Sequence, residues 1–137
     1  MHLLHRLPLV FVWVLFSLSL ALVGFSTRSG EQWHGYQILA YGALSIIYGT
    51  VAWLANLCLV VATLLWNRPR APIVLSIGGL ALALSSYTFS GTPAGDNGYD
   101  PVATWGLGFR LWLAAFAVLI VAAILRSNIS LERTRER

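Results

Sequence analysis

The sequence predicts an all-α membrane protein: four transmembrane helices in a compact antiparallel bundle, both termini inside, with an interfacial segment before the second span. Three observations carry that expectation. Four apolar runs of membrane-spanning length share 137 residues, of which 58% are hydrophobic and 10% charged, against about 25% charged in an ordinary soluble domain. The longest run, residues 36–66, contains no charged side chain. The arginines gather in alternate connections, as they do when charge is retained on one side of a bilayer.

A helix needs about 20 apolar residues to cross roughly 30 Å of hydrocarbon. The first run, 7–25, meets this with Pro8 in its first turn, where a missing N–H is harmless. Residues 1–6 ahead of it have the basic start of a secretory signal. No A-x-A site follows, however, so the run is read as a span. The second run is too long for one crossing at about 1.5 Å per residue. It must break, near Gly42 or Gly49, giving a span at about 45–66. Residues 36–44, with Tyr36, Gln37 and Tyr41, then lie at the outer interface, where aromatic rings are favoured. The third and fourth spans fall at about 72–89 and 104–125, in a single domain covering 1–137. Between them, residues 90–103 read as a loop from their Gly, Pro, Asp and Asn.

All nine basic residues are arginine. Arg6, Arg68, Arg70 and the basic tail 126–137 (Arg126, Arg133, Arg135, Arg137) fall on one side of the alternating spans. The opposite connections carry Arg28 with Glu31, and Asp96 with Asp100. The arginine-rich side, with both termini, is therefore expected in the cytoplasm. The glycosylation-like Asn128-Ile129-Ser130 lies on that side, out of reach of the modification. A net charge of +4 in this pattern speaks for orientation, not for nucleic acid.

Few residues could carry chemistry. Asn56 interrupts the longest apolar run, and an unpaired amide in hydrocarbon is costly, so it should face another helix. Ser17, expected at similar depth in the first span, is the anticipated partner. Arg110 is the lone charge inside an apolar run. It can snorkel outward to pair with Asp96, Asp100 or Glu31, or meet a partner. Trp53 and Trp112 head an internal echo, Trp53-Leu54-Ala55-Asn56 against Trp112-Leu113-Ala114-Ala115, and join Arg110, Asn56, Asp96 and Asp100 as contact candidates. Residues 96–100 concentrate oxygen ligands but lack the spacing and distal glutamate of a calcium loop. His2, His5 and His34 show no metal-ligand convergence, and Cys58 reads as a small buried hydrophobe. Gly79 and Ala83 have the spacing that lets helices approach closely. No cofactor is implied.

Ala52-Trp53-Leu54-Ala55-Asn56 and Gly106-Leu107-Gly108-Phe109-Arg110-Leu111-Trp112-Leu113-Ala114 resemble elements of small four-helix proteobacterial membrane proteins. In those, AWLANP in the second span is followed by GxGYYLWLAS in the fourth. Here Leu57 stands in place of the proline, Phe109 and Arg110 in place of the tyrosines, and Ala115 in place of the serine. The resemblance implies a bacterial inner-membrane location and transfers no site.

Enzymes need paired carboxylates, a nucleophile with its base, or metal ligands at one depth. Proton-coupled carriers need ionisable groups inside the membrane. The apolar runs supply neither, so the expected function is non-catalytic. It is contact within the bilayer or at its outer face, as an accessory subunit or as an immunity protein against a membrane-acting toxin. The alternative is an auxiliary subunit of a transporter or channel. The expected partners are lipids and another membrane or secreted protein.

Overall fold

The computed structural model describes residues 6–46, 51–94 and 98–135, with side chains left undescribed at 45, 46, 94 and beyond 128. Among the described residues, five α-helices and a four-stranded antiparallel sheet make up the fold. This corrects the all-α expectation: the segments beside the first and fourth runs are not loops but strands. Among the described residues only two helices, Ala71–Thr88 and Leu107–Asn128, are long and apolar enough to cross a membrane, so they do not form a bundle of four such helices.

Helix α1 (Leu7–Ala21) opens on Pro8 and leads directly into β1 (Val23–Thr27), which turns back through β2 (Gln32–His34). Helix α2 (Gly35–Gly42) follows at once. His34 and Gln37 form a reciprocal capping box, with the Gln37 side chain accepting the His34 N–H at 2.8 Å. His34 thus starts a helix.

The long apolar run does break after Gly42. A 3₁₀ turn (Ala43–Ile46) follows, and α3 (Leu54–Leu64) begins well after the expected start of the second span; Gly49 lies outside the described residues. The cause of the break is visible. The Trp53 indole lies against Gly42, where a Cβ would be 2.7 Å from its Cδ1. Its N–H donates to the Leu39 carbonyl at 2.9 Å, which satisfies one of the acceptors a helix end leaves free. Helix α4 (Ala71–Leu84) starts on Pro72 and ends in a 3₁₀ turn (Ser85–Thr88). Strands β3 (Gly91–Ala94) and β4 (Gly98–Trp105) then lead into α5 (Leu107–Arg135), which continues through most of the basic tail.

The strand order is β2-β1-β4-β3. Strand β4 changes partner at Pro101: residues up to 101 pair with β3, and those from 102 pair with β1. Proline cannot donate to a ladder, so it sits where the pairing switches and the sheet curls. On the β1 side, Ser26 and Thr104 are register partners whose hydroxyls lie 2.6 Å apart.

The helical core is centred on α5, which packs against both α1 and α4, while α3 packs against α4. Val12, Leu59, Phe116 and Leu119 are fully enclosed there. Ser19 and Ser76, also buried, return their hydroxyls to carbonyls one turn back, so neither is left unpaired. The outward faces are equally apolar: Leu64 is 75% exposed and Val74 67%. At the end opposite the sheet, the Arg126 guanidinium of α5 lies 5.3 Å from the centroid of the Trp66 ring, just past the end of α3.

Candidate functional site: an aromatic cavity under the sheet

A cavity of about 390 Å³ lies where the sheet meets the helices, among the C-terminal turn of α1, α2, and the N-terminal turns of α3 and α5. Its walls are built from a continuous run of rings. Trp33 on β2 stacks on Phe25 of β1 at 5.9 Å, and Phe25 meets Trp105 of β4 edge-on at 5.9 Å. Cross-strand aromatic pairs of this kind stabilise a small sheet and fix its register. Trp105 then packs on Phe109 at 4.3 Å, Phe109 on Trp112 at 5.9 Å, and Trp112 on Phe116 at 5.9 Å. Phe109, Trp112 and Phe116 fall at the three- and four-residue spacing of one helix face, so α5 carries the aromatic run from the sheet into the core.

Glycine allows the layers to close. A Cβ on Gly106 would lie 2.2 Å from the Val23 carbonyl oxygen, and one on Gly108 would lie 2.7 Å from that of Leu22. Gly106 N–H donates to the Gly24 carbonyl at 2.8 Å. The start of α5 therefore lies directly on the backbone joining α1 to β1.

Asn56 reaches this site from the first turn of α3, at the sheet end of the helix, not from the middle of a span as expected. Its Oδ1 accepts the indole N–H of Trp112 at 3.0 Å, tying α3 to α5. The anticipated Ser17 partnership is not formed. Ser17 lies on the exposed side of α1, away from the buried face of Val12, Phe16 and Ser19. Interhelical bonds of this sort contribute about 0.6–2 kcal/mol, enough to orient the amide.

Of the other sequence candidates, Trp53 and Trp112 both line the cavity. Asp96 lies outside the described residues. Arg110 is exposed on the first turns of α5 and does not pair with Asp100. Asp100 instead accepts from the backbone N–H of Ser29 at 3.3 Å and from its hydroxyl, clamping the β1–β2 turn to β4. Among the described residues, no three His, Cys, Asp or Glu side chains come together as a metal site. Phe25 and Trp105 escaped sequence reading because they fell at the margins of apolar runs. Their contact depends on strand pairing between residues far apart in the chain. One wall group is unsatisfied: the Trp33 indole N–H is enclosed without an acceptor.

The Asp100 clamp gives a pH prediction. The Ser29 hydroxyl foremost, then the Thr27 hydroxyl, hold the Asp100 carboxyl below its ordinary value, outweighing a small effect of burial. A folded-state pKa below the unfolded one means the stabilisation is present above the unfolded value. It is lost as pH falls through the folded one. Protection of the Ser29 amide, the slowing of its exchange relative to an unstructured amide at the same pH, should therefore fall under acid conditions at and below the ordinary carboxylate range. Asp100→Asn should be poorly protected at all pH; an unchanged profile in that variant would remove the clamp.

Comparison with family models, curated proteins and solved structures finds no match for this chain.

Proposed function

We propose that this chain is a non-catalytic inner-membrane protein that works by holding an apolar molecule in the aromatic cavity at the outer end of its helices. The cavity is the single observation that carries the reading. Its volume falls within the roughly 300–1,000 Å³ of small-molecule sites, which are lined mainly by apolar and aromatic groups with few polar ones. No acid, base, histidine or thiol is among its described lining residues, so the walls offer contact without an evident means of bond cleavage.

Membrane placement is supported by the apolar outward faces of the helices and by the two helices of spanning length. Helices α1 and α3 are shorter and would pack beside α4 and α5 in the apolar layer. Arg6, Arg70 and Arg126 mark the end away from the sheet, consistent with a cytoplasmic side there and a periplasmic sheet. A second reading retains a protein partner, for an accessory subunit or an immunity protein. It is favoured by the exposed rings of Tyr36, Tyr41 and Tyr99 at the sheet end, a residue type that recurs at protein interfaces.

The test is what accompanies the chain on purification. Native mass spectrometry should find an apolar small molecule on the wild type. Ala52→Phe, which adds a ring to the cavity wall, should reduce its recovery by about tenfold, since a clash of about 1.4 kcal/mol suffices for that. Equal recovery from both proteins would contradict the reading, and a stoichiometric protein in its place would favour the second one.

A further inference from the structure

We infer that the molecule the cavity takes is uncharged and carries a carbonyl-type oxygen, which the side-chain amide of Asn56 receives. This rests on the cavity being a binding site, and it concerns the chemistry of what enters. An indole N–H can only donate, so the bond from Trp112 fixes the Asn56 oxygen as the accepting end and leaves the amide nitrogen on the other side. That nitrogen has two N–H groups, and the described residues give it no acceptor. It is also not among the enclosed polar atoms lacking a partner, which are the indole nitrogens of Trp33 and Trp66. Asn56 lines the cavity. Its free donors are therefore open to whatever occupies that space.

The remaining walls restrict the occupant further. A carboxylate, phosphate or ammonium would meet no opposite charge among the described lining residues, and a charge buried without a partner is strongly disfavoured. The rings of Phe25, Trp53, Trp105 and Phe109 offer apolar faces to a chain or a flat ring. An apolar body with one neutral acceptor meets both the amide nitrogen of Asn56 and the ring faces, while the indole N–H of Trp33 is enclosed and out of the occupant's reach. Two membrane-soluble molecules carry that chemistry, the acyl ester of a lipid and the carbonyl of a quinone. A donor left unpaired on binding costs the complex the bond it could have made, so the carbonyl should be worth about three- to tenfold in affinity.

The experiment uses the full chain in bilayer nanodiscs, reading tryptophan fluorescence, because Trp33, Trp53, Trp105 and Trp112 all line the cavity. A brominated long-chain methyl ester and the bromoalkane of equal length are titrated as quenchers. Both should quench saturably, the ester at about three- to tenfold lower mole fraction, and Asn56→Leu should bring the ester to the level of the alkane. A short-chain benzoquinone then identifies the source: competition stronger than that of an unbrominated ester points to a ring, weaker competition to an acyl chain. Equal midpoints on the wild type overturn the inference while leaving the cavity reading intact, and so does an ester advantage that survives Asn56→Leu. Quenching that never saturates with either probe overturns the cavity reading itself. Should Asn56→Leu not accumulate, the ester and alkane midpoints on the wild type decide.

Discussion

Phe116→Ala should destabilise the protein by about 3 kcal/mol, measured by denaturant titration in micelles. The Phe116 side chain is fully enclosed. It fits where α4 has Gly79, since a Cβ there would lie 2.5 Å from its ring. It also stands edge-on to Trp112. Truncating a buried phenylalanine in a water-soluble core costs about 3–5 kcal/mol, as lost transfer energy plus a residual cavity. On the membrane placement proposed above, the transfer part shrinks, because hydrocarbon is as apolar as the core, and close packing carries the association. The cavity and dispersion parts remain, which sets the expectation at the low end. A loss under about 1 kcal/mol would mean that the helices around α5 can collapse into the gap.

Gly106→Ala should cost about 1–3 kcal/mol, and Gly106→Val more, by overpacking. The obstructing atoms are the Val23 carbonyl and its carbon, at 2.2 and 2.9 Å from the added Cβ. They belong to the backbone and cannot rotate away. The hydrogen bond from Gly106 to Gly24 holds the two segments at that distance, so separating them would also loosen β1 from β4. The damage should therefore appear as faster amide exchange across β1 and β4, with α3 and α4 retained. Normal exchange in the strands would show that the junction is looser than its geometry implies.

The apolar runs were legible because hydropathy is local: each of α1, α3, α4 and α5 is built on one of them, although α5 continues past its run to Arg135. So was the break in the second run, because its length was incompatible with one span. The sheet was not legible. Strand β1 is Val23–Thr27, whose first residues continue an apolar run and whose partner β4 lies nearly the whole chain away. Strands β3 and β4 contain Pro93 and Pro101, which read as turn residues until the switch of partner at Pro101 accounts for the second. Asn56 was legible as a polar group in need of a partner. The choice of Ser17 assumed a straight span that placed both at one depth. With α3 starting at Leu54, Asn56 is moved to the sheet end, beside Trp112. Gly106 and Gly108 stood out only as part of a resemblance, and their use, close approach to the α1–β1 backbone, depends on a contact between segments far apart in the chain.

The most direct measurement is a cross-link between Ser26 and Thr104. Antiparallel register partners bring their Cα atoms to about 4.5–5.5 Å, within the range a disulfide bridges. With Cys58→Ser removing the native thiol, Ser26→Cys combined with Thr104→Cys should form a disulfide spontaneously when the chain is made in a Gram-negative bacterium. The two positions would then be neighbours in a sheet on the oxidising periplasmic side. If both thiols stay free in intact cells and remain unlinked after a mild oxidant is added to membranes, β1 and β4 are not paired. A sheet capping the outer end of a membrane-embedded body would then be wrong.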